Sequence, residues 1–247
     1  MIYLQRYGEP AKLGKEEQSI YIQAMMEMQS TRFFTQDDVS SLPIEDCELL
    51  VGSVESHLKI YRLLGLDPIS PNYYPECLKH LFHRDIWTGT LEDVNCIVQR
   101  GDIVFAKPFD SWKTFDGTVF GLEGLSNEVT SLPIDTKVWL STCIQLRAEH
   151  RVYVINDEIV SCCQYKGEVD EFPDMFIVQG AIARLRGRTE TPSAYSIDFG
   201  ITQTGETVLV ELGDGFAVGK YQGISDQEYF RFLKTRWDEI RSKALCT

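Results

Sequence analysis

The sequence predicts a mixed α/β + α+β fold, a small α/β unit followed by a larger region of strands and hairpins, on three observations. In the first third, apolar runs of strand length alternate with helix-forming stretches. From residue 98 onward the pattern changes to extended runs joined by turn sequences such as Asp116-Gly117 and Asn156-Asp157. Over 247 residues the chain is 43% hydrophobic and 11% aromatic, ample material for one large core or two small ones. Disordered and fibrous classes are excluded.

In chain order, Ile2–Leu4 is a short apolar start, Lys15–Gln29 has helical composition, and Arg32–Phe34 reads as a strand. Glu48–Gly52 is a buried strand. Ser53–Leu64 follows as a helix stopped by Gly65, with Pro68 soon after. Ser70-Pro71-Asn72-Tyr73-Tyr74-Pro75 is turn chemistry, and Glu76–Phe82 reads as a helix. A domain boundary is expected near residues 83–90. Ile103–Ala106 and Thr118–Gly121 form a hairpin-like pair around a polar loop. Val138–Leu146 and Arg151–Ile155 read as strands, the latter turning at Asn156-Asp157 into Ile159–Tyr165. Phe176–Arg186 reads as a helix, while Ala194–Ile201 and Thr207–Leu212 form an antiparallel pair about Gly205. The last helix, Asp226–Lys243, has Tyr229, Phe230, Leu233, Trp237 and Ile240 spaced for one face.

Twenty-four Lys and Arg stand against 37 Asp and Glu, a net charge of −13, so the surface as a whole repels phosphate backbones and anionic lipid. No nucleic-acid or membrane partner is expected, although a local basic cleft remains compatible with this charge. No apolar run approaches the roughly 18 residues that cross a bilayer, and the start of the chain turns polar at once instead of resembling a secretory signal. A cytoplasmic protein is expected. The seven cysteines are an odd number without CxxC spacing, which speaks for reduced thiols against a disulfide framework or a zinc site.

The common catalytic motifs are missing: there is no Walker loop, HExxH, EF-hand or GxSxG. Gly213 to Gly219 superficially resembles a glycine fingerprint but has the wrong spacing, and a turn requiring positive φ explains it better. His80 and His83 are three apart on the expected helix, yet no third ligand is near in sequence, so a plain histidine pair is the simpler reading. Arg184, Arg186 and Arg188 form a basic cluster in an acidic chain, open to an anionic substrate or to solvation at a helix end.

Three groups of charged residues at strand ends carry the chemistry. Lys107 follows Ile103–Ala106 and precedes Pro108, and Lys113 lies on the loop ending at Gly117, an arrangement suited to covering phosphates. Taken singly, each lysine also fits a solvated surface residue. Glu149-His150-Arg151 lies between two expected strands; an acid there can accept ribose hydroxyls and a forked Arg can bind phosphate, or the two can serve a cross-strand salt bridge. Counting back from the Gly205 turn sets Asp198 opposite Glu211 on one face. Paired carboxylates repel unless a cation sits between them, and hard oxygen ligands suit Mg²⁺.

The order of these groups resembles the ATP-grasp fold, and within it the divergent clade named for two arginines and one lysine. The matching stretches are Phe105–Pro108, Lys113–Gly117, Glu149–Val154, Ser196–Asp198 and Val210–Gly215, with Val51–Val54, Tyr74-Pro75 and His83–Trp87 upstream. The resemblance implies a pre-ATP-grasp domain over residues 1–85 and an ATP-grasp domain over 86–247, whose two α+β subdomains clasp ATP. It implies that Arg84, Lys107 and Lys113 bind nucleotide phosphates. By the same likeness the hinge strand Val138–Thr142, with Trp139, Leu140 and Ser141, reads adenine, and Glu149 meets the ribose or purine. Arg151, with Lys113, would stabilise the transferred phosphoryl group, while Asp198 and Glu211 would hold Mg²⁺.

One departure from the family pattern matters. Its usual Glu-x-Asn is here Glu211-Leu212-Gly213, and Gly213 has no ligand atom. Compensation by Asp214, by a water, or a weakened metal site are the options. His150 also replaces a bulkier residue.

The activity implied is an ATP- and Mg²⁺-dependent ligase that joins a carboxylate to an amine or thiol through an acyl phosphate, with an unidentified carboxylate and an amine that could belong to a peptide or protein. The alternatives are a nucleotide-binding protein with reduced or no ligase activity, and an interaction module whose strand-end charges are only salt bridges.

Overall fold

The structure, a computed structural model, describes residues 1–67, 70–112, 114–121, 127–167 and 170–245. β1 (Ile2–Tyr7) centres the first sheet, parallel to β3 (Thr31–Phe34) and β4 (Leu49–Val51) and antiparallel to the short β2 (Lys12–Leu13). Ile2, Tyr3 and Leu4 are all buried, as expected of a parallel strand covered on both faces. α1 (Lys15–Met26) makes the crossover to β3 and ends earlier than its composition suggests. α2 (Val54–Leu63) follows β4 with Ser53 as N-cap, its side chain accepting from the Ser56 N–H. It closes on Gly65, whose φ of +72° lets the Leu66 N–H reach the Tyr61 carbonyl.

The stretch expected as a helix from Glu76 is instead a 3-10 run over Glu76–Leu81. Leu78 and Leu81, three residues apart, are both buried, and the three-residue repeat of the tighter helix places them on one face.

A second, antiparallel sheet has the order β5-β8-β6-β7, built from β5 (Ile86–Thr90), β6 (Val104–Pro108), β7 (Thr118–Phe120) and β8 (Lys137–Ser141). The hairpin-like pairing is present, with Val104 opposite Phe120. α3 (Leu91–Gln99), which the sequence reading did not include, begins in a capping box between Thr90 and Asp93 and buries Leu91 and Val94 on this sheet beside α4 (Asn127–Thr130).

The third sheet has the order β10-β9-β11-β12. The expected strand Val138–Leu146 is divided: β8 stops at Ser141, and β9 (Leu146–Ile155) runs unbroken through Glu149, His150 and Arg151. These residues therefore lie within a strand and not between two. The turn at Asn156 and Asp157, both with positive φ, leads into β10 (Glu158–Gly167). β11 (Ala194–Thr202) and β12 (Thr207–Asp214) flank the Gly205 turn. α5 (Met175–Leu185) covers one face of the sheet, packing Val178 and Ile182 against Val152, Val154 and Ile197.

α6 (Asp226–Leu245) lies between the other face and the first sheet, so that Tyr229, Phe232 and Trp237 join Leu4 and Leu50 to Tyr153 and Ala194 in one core. The Trp237 Nε1–H donates to the Cys47 carbonyl at 3.1 Å. Among the described residues no helix is long and apolar enough to cross a membrane, and six cysteines are free thiols.

None of Gly213, Gly215 and Gly219 has positive φ, contrary to the turn reading; Ala217 does, at 49°. Gly213 and Gly215 are close-approach sites instead. An added Cβ would lie 2.6 Å from Ser196 Oγ at the first and 2.2 Å from the Ala194 carbonyl oxygen at the second.

Candidate functional site

The antiparallel registers of β9, β11 and β12 place Arg151, Asp198 and Glu211 side by side in one row across three strands. The strand pleat puts all three side chains on the face away from α5. The Arg151 guanidinium grips Asp198 in bidentate fashion, Nε to Oδ1 at 2.9 Å and Nη2 to Oδ2 at 2.8 Å. Glu211 takes its cation from the second sheet: Lys107 Nζ, on β6, is ion-paired with Oε2. That ammonium also sits 3.2 Å from the Tyr73 ring centroid. Lys107 and Asp198 are buried, 6% and 2% exposed, so these are held charges and not solvated ones.

The two carboxylates are driven apart in their titration. Burial raises the Asp198 carboxyl, with Arg151 opposing and the Glu211 charge adding to the rise. Burial alone would also raise Glu211, but Lys107, Arg151 and Arg84 hold it below its ordinary value.

This row forms the floor of a cavity of about 710 Å³ bounded by both sheets. One wall is aromatic: Tyr165 and Tyr221 stack at 4.9 Å, and Arg151 Cζ lies 5.0 Å from the Tyr221 ring. Glu149, a row further along β9, accepts from the Tyr165 hydroxyl at 2.8 Å and pairs with Lys166. A second cavity of about 320 Å³ opens beside the first, shares Val54, Ala217, Val218 and Gly219 with it, and reaches Glu16 and Glu17 at the start of α1.

Other sequence-derived residues have different places. Arg84 lines the large cavity but spends its guanidinium on three carbonyls, Phe82 at 3.1 Å, Leu209 at 2.7 Å and Val210 at 2.9 Å, bracing β12 next to Glu211. Ser141 lines the cavity, whereas Trp139 packs against Tyr74 and Phe109 and Leu140 is buried in the core under α3. The cavity edge therefore runs through residues 141–144, starting at the last rung that β8 shares with β5 and β6.

Asp214 lines the cavity too, but both its carboxylate oxygens accept from Arg236 of α6, at 2.6 and 2.7 Å. Lys113 lies outside the described residues. Arg186 pairs with Asp157 and Arg188 with Glu190, and neither lines the cavity. His83 lies 3.6 Å from Glu206. Among the described residues no three His, Cys, Asp or Glu side chains converge on one point.

The sequence reading missed Tyr73, Tyr165, Tyr221 and Lys166, because aromatic and cationic walls assemble from separate strands and loops. It also missed Ser196, although its position two residues before Asp198 puts it on the same face.

A family model for the ATP-grasp domain, family 2 of the clade named for two arginines and one lysine, matches residues 81–232, more than half of the chain. The chain belongs to this ATP-grasp family. Among solved structures, the D-alanine–D-alanine ligase of Bacillus anthracis complexed with ATP is similar to this ATP-grasp chain with a TM-score of 0.58 at 13% identity, over 98% of each chain. A RimK domain ATP-grasp protein of Sphaerobacter thermophilus gives 0.55 at 13% identity, over 99% of this chain and 100% of that one. D-cycloserine synthetase DcsG gives 0.59 at 10% identity, over 97% and 100%. At such identities the likeness is one of fold, and the chain has the ATP-grasp fold. A search of curated proteins finds no match.

Proposed function

We propose that this ATP-grasp protein is an ATP-dependent ligase that activates a carboxylate and joins it to an amine. The observation that carries the reading is the row Arg151–Asp198–Glu211, closed by Lys107, on the floor of a cavity whose size suits a nucleotide and a small substrate.

The donor set fits Mg²⁺. This cation keeps several waters and is usually held by one or two carboxylates together with substrate phosphates, and Asp198 and Glu211 are two hard-oxygen groups facing each other across a ladder. When bound, Mg²⁺ would neutralise charge on the phosphate oxygens.

Lys107, buried, and Arg151, half-buried, are the two cations of the row, and each has a carboxylate partner that a metal ion could take over. Freed in that way, the two side chains turn their charge to phosphate oxygens, Lys107 as a point charge and Arg151 as a bidentate fork. Glu149 would accept ribose hydroxyls, with Lys166 and Tyr165 fixing its orientation. The backbone of residues 142–144, past the last rung of β8, would read adenine in place of Trp139 and Leu140. The cavity beside Glu16 and Glu17 gives the acceptor room next to the phosphates.

In the reaction, a substrate carboxylate oxygen bonds to the γ-phosphorus as the bond to the ADP oxygen breaks. The amine nitrogen then attacks the acyl carbon, phosphate leaves, and the nitrogen loses a proton. No side-chain nucleophile is needed.

Thermal unfolding with ATP, with and without Mg²⁺, tests the site in the wild type and in Lys107→Ala and Glu211→Ala. Ligand at about 100 times its dissociation constant adds about 2.7 kcal/mol of stability. A Mg²⁺-dependent shift in the wild type alone, followed by ADP release with carboxylate and amine mixtures, supports the ligase. A shift without ADP release favours a nucleotide-binding protein, and no shift at all refutes both.

A further inference from the structure

Two residues from the carboxylate pair, the β11–β12 ladder sets Ser196 opposite Gly213, on the same face as Asp198 and Glu211. The four positions outline a square: two carboxylates on one side, a hydroxyl and a bare Cα on the other. A Cβ on Gly213 would lie only 2.6 Å from Ser196 Oγ, so the hydroxyl leans across the ladder over Gly213 and fills the space that a side chain there would need.

Ser196 is 3% exposed and lines the large cavity. Among the described residues no hydrogen bond engages its hydroxyl, which opens onto the cavity. The other oxygen group near this end of β12, Asp214, is committed to Arg236 through both oxygens.

We propose that Ser196 Oγ is the third protein oxygen of the cation site, completing Asp198 and Glu211 from β11 while Gly213 makes room for it on β12. The inference rests on the reading of that pair as the Mg²⁺ site. A neutral donor suits this place, because a third carboxylate would add like charge to a pair that is already electrostatically strained.

The test uses Mn²⁺ as the probe. Its free concentration is followed by electron paramagnetic resonance with a non-hydrolysable ATP analogue, in the wild type, Ser196→Ala and Ser196→Cys; Glu211→Gln is the control for the pair itself. Ser196→Ala is expected to weaken Mn²⁺ binding about tenfold, with the melting temperature of the ligand-free protein and metal-free analogue binding unchanged. Ser196→Cys is expected to bind Mn²⁺ weakly and to gain Cd²⁺ binding over the wild type, since a thiolate is a soft ligand. A structural role alone would not shift this metal preference. Wild-type Mn²⁺ affinity in Ser196→Ala with an unshifted preference in Ser196→Cys overturns the role of Ser196 and leaves the carboxylate pair standing. Absence of Mn²⁺ binding in the wild type itself overturns both.

Discussion

Arg236 closes on Asp214 with two parallel hydrogen bonds, 2.6 and 2.7 Å long, and the two side chains are 2% and 5% exposed. The pair ties the end of β12 to α6, and the same guanidinium lies 2.9 Å from Glu239 one turn further along the helix. An acid next to a glycine at the end of β12, three residues after Glu211, reads from sequence as a candidate ligand. In the fold it is a fastener. Removing Arg236 leaves Asp214 as a buried charge with no cation beside it, so Arg236→Met should lower the unfolding free energy by about 3–5 kcal/mol. The double variant Asp214→Leu/Arg236→Met should lose far less. Urea unfolding of the three proteins measures the difference, and equal losses in single and double variants would show that the pair is not the cause.

Arg84 makes a related prediction nearer the cavity floor. Two of its three carbonyl partners, Leu209 and Val210, belong to the β12 backbone immediately before Glu211. Lysine offers a point charge and not a planar fork, so Arg84→Lys cannot make all three contacts together. Arg84→Lys and Arg84→Ala should each destabilise the protein by about 1.5–3 kcal/mol and reduce the Mg²⁺-dependent ATP shift through a misplaced Glu211. A variant of full stability with a lost ATP shift would instead make Arg84 a direct phosphate ligand.

How far the sequence could be read depended on the range of the interactions. Asp198 and Glu211 are joined by one short turn with Gly205 at φ +90°, so counting residues back from it was enough to bring the carboxylates together. The burial of β4, within the apolar run Glu48–Gly52, was equally local. Glu149 and Arg151 line the cavity but in a different setting from the one the spacing suggests, because the break between strands falls at residues 142–145 and the run through His150 stays paired on both sides. Arg236 was invisible as the partner of Asp214: it sits on a helix whose apolar spacing was readable, and nothing in a spacing pattern tells which polar residue that helix buries. Trp139 and Leu140 were placed at the adenine by likeness to a family, while the actual edge of the cavity depends on where β5 and β6 stop flanking β8.

Acid should loosen the α6 fastening in a definite window. Burial by itself would raise the Glu239 carboxyl, but Arg236, Lys243 and the Ser193 donors outweigh it and hold the group at about 2, against an ordinary 4.5. Its stabilising contribution is complete above pH 4.5. As the pH falls toward 2 the unfolded chain takes up the proton first, and the contribution is lost. Glu239→Gln should therefore be less stable at pH 7 by roughly 1 kcal/mol, allowing for solvent screening, and should show a shallower decline between pH 4.5 and 2. Parallel stability curves for the two proteins across that window would rule out Glu239 as the titrating group.

The row of charges on the cavity floor separates folding from function most cleanly. Lys107 and Glu211 neutralise each other across two sheets, but burying the ammonium and most of the carboxylate carries a desolvation cost that their attraction only partly offsets. Replacing both with apolar residues of similar volume, Lys107→Met/Glu211→Leu, should thus leave the ligand-free protein as stable as the wild type or more so. Lys107→Met alone should be strongly destabilised, since Glu211 would then face Asp198 with no ammonium beside it. The same double variant should show no Mg²⁺-dependent response to ATP. Differential scanning calorimetry with and without Mg·ATP reads both properties in one experiment. A double variant that melts well below the wild type would mean that the pair is retained for the fold rather than for the nucleotide.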